Sequence, residues 1–198
     1  MRKGISMKKI VWLFGQPGSG RKTLITKLLE NDLEAKKALD LDCSKIEYLD
    51  LPYDRNYTYT DYIALNNRIN QIYNSIANFI TSDVEVLLFT GVFEDYSKIE
   101  NSILKLMAEA FPDIDKEIFF LNPSDINVLH ERLKKTQFYL INEKESQYRY
   151  QMDWLIFAVN YMKKNLARYK ELGYKFIEVD TLDGYKIDKP KMLELKQD

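Results

Sequence analysis

Cysteine and histidine are nearly absent from the 198 residues, which contain one of each, Cys43 and His130. A lone cysteine cannot close an internal disulfide, and one cysteine with one histidine cannot assemble a Cys/His zinc site. Glycine and proline are scarce too, at seven and five residues. No Gly/Ser/Pro-rich linker, low-complexity segment or internal repeat breaks the chain, so a single domain over residues 1–198 is expected. The apolar run at 10–14 is cut by Gly15, Gln16 and Pro17, far short of a signal-peptide core or a membrane span. Neither charge dominates: 29 basic against 30 acidic residues leave a net charge of -1. No global field therefore draws the protein to nucleic acid or to a membrane, although a local basic groove stays open. These absences fit a reducing, cytoplasmic setting. Met7 is an alternative start, which would make residues 1–6 a leader or cloning remnant.

With 45% hydrophobic and 30% charged residues, the chain suffices for one sizeable core. Short apolar runs at 10–14, 46–49, 84–89, 117–121 and 174–179 read as buried parallel strands. Between them lie stretches of helical period, so the class is α/β. Helices are expected over 21–30, over 61–80 with Leu65, Ile69, Ile72, Ile76 and Ile80 on one face, and over 98–110. Thr60 or Asp61 is the expected cap of the second. A fourth helix should open at Asn122-Pro123, with proline at its first position, and a fifth should run over 147–172, stopped by Gly173.

Three of the seven glycines fall within GQPGSGRKT at 15–23. The segment follows the first strand and leads into the first helix, the context of a phosphate-binding loop. Gly15, Gly18 and Gly20 let successive N–H groups turn inward, with Pro17 and Ser19 between them, and the helix N-terminus adds positive charge. Two registers fit. In the preferred one Arg21 takes the usual lysine position, Lys22 the usual hydroxyl position, and Thr23 follows one place late as the metal-side hydroxyl. The other makes Lys22 and Thr23 the lysine–hydroxyl pair. A simple strand-to-helix turn, or nucleotide binding without turnover, are the blander alternatives.

IVWLFGQPGSGRKTL resembles the opening of P-loop small-molecule kinases, most closely the adenylylsulfate kinase group. YLDLPYDR (48–55), LNNRINQIYNSIANFI (65–80) and EIFFLNPSDINVLHERLKKTQFY (117–139) are similar to its next strand, helix and lid-bearing segment. The resemblance implies a three-layer fold with five parallel strands in the order 2-3-1-4-5. It also implies an ATP–Mg²⁺ donor and a hydroxyl acceptor under a lid, here 132–149. Arg21 in place of lysine and the wide spacing of Asp50 and Asp54 depart from that group.

Phosphoryl transfer needs a phosphate cradle, a metal, a group aligning the acceptor hydroxyl and cations over the transferred group. Asp50, at a strand's carboxyl end, is the candidate aligning base; a solvated turn acid is the equal alternative. Arg21 and Lys22 are the candidate catalytic cations of the loop. Arg55 and Arg68 are candidates to hold an anionic acceptor. Tyr53, Tyr57, Tyr59 and Tyr62 suit either base stacking or loop packing. Arg132 is the candidate nucleotide-binding cation near the lid, whereas Lys134 and Lys135 fit a helix C-terminus. His130, Trp12 and Trp154 read as structural. The third strand has Thr90 where a metal-side aspartate is usual, with Glu94 and Asp95 beyond it, and no guanine-switch motif occurs.

The expected function is therefore ATP-dependent phosphorylation of a hydroxyl on a small anionic or nucleotide-like acceptor. A kinase of nucleotides or of modified bases in nucleic acid, and a non-catalytic nucleotide-binding regulator, are the alternatives. No membrane partner is expected, and homodimerisation stays open.

Overall fold

The computed structural model describes residues 8–39, 41, 45–50, 62–90, 102–135 and 151–182. Five strands, β1 (Lys9–Phe14), β2 (Ile46–Asp50), β3 (Val86–Thr90), β4 (Asp115–Asn122) and β5 (Lys175–Asp180), form one sheet in the order 2-3-1-4-5. Every pairing is parallel. All five carboxyl ends consequently share one edge, where ligands of open α/β sheets collect.

Alternating side chains of β1 feed two cores, because successive residues of a strand point to opposite faces. Ile10, Trp12 and Phe14 meet helices α3 (Tyr62–Thr81), α4 (Ile103–Ala110), α5 (Ile126–Lys134) and α6 (Met152–Ala167). Val11 and Leu13 meet α1 (Arg21–Leu29) and α2 (Leu33–Ala38). The five-stranded sheet is thus flanked on both faces, as the order of runs in the sequence requires. No described helix is long and apolar enough to cross a membrane.

Several boundaries differ from expectation. Asn122-Pro123 does not open a helix: Asn122 still pairs with Asp180 across the sheet, and Asp125 caps α5 through its carboxylate and the Asn127 N–H at 2.9 Å. The third expected helix starts at Ile103 rather than near 98, because Ser102 is extended and its hydroxyl accepts the Lys105 N–H. The fifth starts at Met152 rather than 147, after the extended Gln151, and tightens into a 3₁₀ turn over Arg168–Leu172. Gly173, at φ 85°, ends it as expected. Helix α2 was not foreseen; Asp32 caps it, and the Ala35 N–H holds that carboxyl below its ordinary pKa. On α3, Ile72, Ile76 and Phe79 are buried whereas Ile80 is 43% exposed, so the core stripe turns to 79. Trp12 is buried and stacks on Phe89, while Trp154 is only partly buried.

Ionic contacts gather at the opposite, amino edge. Buried Glu117 meets Lys9 of β1 at 3.1 Å and Lys175 of β5 at 3.4 Å. Lys175 also binds Asp115, whose carboxylate raises the lysine's pKa. Lys8 closes the C-terminal end of α3 by donating to the carbonyls of Phe79, Ser82 and Val84, satisfying groups that a helix end leaves open. Lys8 and Lys9 therefore serve the fold.

Phe79→Ala should cost about 3–5 kcal/mol, while Ile80→Ala should stay within about 0.5 kcal/mol. Urea unfolding of the two variants checks the contrast.

Candidate functional site

The loop at 15–20 is shaped by backbone that side chains would spoil. At Gly15, φ is 152°, and a Cβ would lie 2.4 Å from Ser19 Oγ and 2.5 Å from the Leu121 carbonyl oxygen. Hydrogen alone fits there. The Ser19 N–H then donates to the Gln16 carbonyl at 3.0 Å, closing a tight turn that contains Pro17 and Gly18. Ser19 is itself buried, and its Oγ has no partner among the described residues.

Gly20, at φ 97°, is the N-cap of α1, and no side chain caps that helix. Its first turn holds no acid. A helix N-terminus carries unsatisfied N–H groups and roughly half a positive charge. The Gly20 N–H forms no hydrogen bond among the described residues. Helix N-termini of this kind are general sites of attraction for anions.

Of the side chains that follow, Lys22 is exposed, while Arg21 and Thr23 are half-buried. Arg21 reaches across to β3, where its Nη1 lies 3.5 Å from the Thr90 Oγ1. Thr90 is buried at the strand's end and pairs in register with Asp50 of β2. The backbone positions of Asp50 and Thr90 and the Arg21 guanidinium are thereby brought to one stretch of the carboxyl edge. Asp50's side chain lies outside the described residues, as does that of Arg68 on α3. Arg55, the tyrosines at 53, 57 and 59, Asp54, Glu94, Asp95 and the part of the expected lid beyond residue 135 also lie outside them.

Arg132 adjoins the loop from α5: a Cβ on Gly18 would lie 3.2 Å from its own Cβ. Its guanidinium donates from Nη2 to the carbonyls of Thr181 at 2.8 Å and Leu182 at 2.9 Å. The Thr181 hydroxyl in turn donates to the Ser19 carbonyl at 2.9 Å. Thr181 escaped the sequence reading, although it follows a strand end on the edge that singled out Asp50. Lys134 binds Glu131 at 2.8 Å and holds that carboxyl below its ordinary pKa, in keeping with a surface role. His130 is half-buried on the same helix.

No cluster of three or more His, Cys, Asp or Glu that could hold a metal occurs among the described residues. A separate cavity of about 410 Å³ lies between α6, its 3₁₀ extension and β5, lined by Lys163, Lys164, Arg168, Lys170 and Phe176 among others. Phe176 stands near the amino end of β5, so that cavity is apart from the glycine loop.

Gly15→Ala should cost about 2 kcal/mol or more, since it combines backbone strain with two close approaches. Thermal unfolding against the parent chain measures it. No protein-family model matches the chain, and no curated protein sequence matches it.

Proposed function

We propose that this chain is an ATP-dependent phosphotransferase that phosphorylates a hydroxyl on a small anionic or nucleotide-like acceptor. The observation that carries the reading is the uncapped, acid-free start of α1 behind three positive-φ glycines, directly after a buried central strand. That geometry suits a triphosphate: the amides of the loop and first turn would hold its β- and γ-phosphates. Bound ATP supplies the transferable phosphoryl group and its ADP leaving group.

The remaining tasks fall to this chain's own side chains. Arg21 and Lys22 supply positive charge beside the loop. Asp50 aligns the acceptor hydroxyl and takes its proton as the oxygen bonds to phosphorus, and Arg55 and Arg68 hold the acceptor's anionic group. Thr23 offers the hydroxyl nearest the usual Mg²⁺ position, since Lys22 occupies that position itself. Magnesium would otherwise rest on phosphate oxygens and water.

One observation favours a second reading, nucleotide binding without turnover. β3 ends on buried Thr90 rather than on an acid, and Arg21 is directed to that threonine. A planar guanidinium there does not reproduce a compact ammonium between phosphate oxygens.

Calorimetric titration with ATP and Mg²⁺, together with ADP release across a panel of hydroxylated anions and an oligonucleotide, separates these readings. Kinase action predicts acceptor-dependent ADP release, binding alone predicts none, and failure to bind ATP overturns both. Arg21→Lys should preserve or raise both affinity and turnover. Asp50→Asn should lower turnover by about a hundredfold while changing ATP affinity little. Unchanged turnover in Asp50→Asn would remove it as the base.

A further inference from the structure

The contacts around Thr181 bear on which way the loop's amides point. A peptide group is planar and trans, so its C=O and N–H point in opposite directions. The buried Thr181 hydroxyl holds the Ser19 carbonyl at 2.9 Å. The Gly20 N–H of that same peptide is therefore turned away from Thr181, at the open cap of α1. Orientation of one phosphate-binding amide is thus set by a side chain that lies 162 residues away in sequence.

Thr181 is fixed in its own right. The Arg132 Nη2 donates to the carbonyls of Thr181 and Leu182 at 2.8 and 2.9 Å. The Asp180 carboxylate accepts the N–H groups of Ser124 at 2.8 Å and Leu182 at 2.9 Å, pinning the turn from its other side. Arg132 also backs onto Gly18. Both carbonyls thus receive a charge-assisted donor, the stronger class of hydrogen bond.

We infer that Arg132 and Thr181 form a latch that positions the glycine loop, with Arg132 acting through the Thr181 backbone and not as a ligand of the nucleotide. The inference rests on the proposed nucleotide site for its functional meaning, but the latch itself is a property of the free protein. A direct phosphate contact by Arg132 would make Thr181 irrelevant to affinity. A latch makes the two residues interdependent, because removing either releases the same peptide.

The test uses the full chain with Thr181→Val, Thr181→Ser, Arg132→Ala and the Arg132→Ala/Thr181→Val double variant. Amide hydrogen exchange over residues 16–20 is followed without nucleotide, with the β3 amides reporting whether the fold is intact. Thr181→Val and Arg132→Ala should each speed loop exchange at least about tenfold with β3 still protected, and Thr181→Ser should restore the parent rate. ATP affinity should fall about tenfold in each single variant, and the double variant should be no weaker than the worse single one. Parent-like loop exchange in Thr181→Val overturns the latch whether or not ATP binds. Affinity that falls in Arg132→Ala but not in Thr181→Val overturns it in favour of direct contact, and so does full additivity. Loss of ATP binding in the parent chain itself overturns the functional reading alone, and the exchange rates then decide the latch.

Discussion

Parallel pairing of β1 with both β3 and β4 is the constraint from which the other features follow. A strand paired on both sides and covered on both faces has no solvent edge, so its residues must be apolar, as Ile10 to Phe14 are. Its chain can leave only at the carboxyl end, over the edge of the sheet, and must turn sharply to place α1 on one face. The same direction of travel applies to each strand, which is why Asp50, Thr90, Asn122 and Asp180 end at that edge as well. The amino edge, by contrast, is tied by Lys9, Glu117 and Lys175 in contacts that serve cohesion.

The turn after β1 is confined by what it passes. Residue 15 comes so close to the Leu121 carbonyl and to Ser19 that a side chain is excluded. The close approach of residue 15 to β4 limits the conformations open to that turn. Preorganisation of that kind lowers the ordering cost of binding an anion. Among the described residues no side chain caps α1, and its first turn carries no acid to offset the helix's positive end.

Much of this was legible in the sequence, for a physical reason. Buried parallel strands write themselves as unbroken apolar runs, and the glycine spacing at 15, 18 and 20 has few uses besides a loop between strand and helix. Strand order came from resemblance and coincides with the observed pairing. The errors fell where local rules compete. Ile80 and Phe79 both fit a helical stripe through Ile72 and Ile76, and tertiary packing chose the ring. Asn122 and Pro123 carry a helix-start signature, yet sheet pairing with β5 held Asn122 extended and moved the cap to Asp125. Ser102 and Gln151 likewise stopped helices that periodicity alone would have extended. The bond of Thr181 to Ser19 was not legible in the sequence, because it joins residues 162 apart and no spacing rule spans that distance; only the position of Thr181 after a strand end marked it.

Trp12 gives the core an optical consequence. Its indole is fully buried, its N–H has no partner among the described residues, and its ring lies 4.4 Å from that of Phe89. A buried indole without a hydrogen-bond partner is expected to emit toward the blue end of the tryptophan range, and the half-buried Trp154 further to the red. Trp12 stands three residues before Gly15, and Phe89 stands one residue before the threonine that Arg21 reaches. Emission from Trp12 would thus report from directly beneath the glycine loop, with no added label.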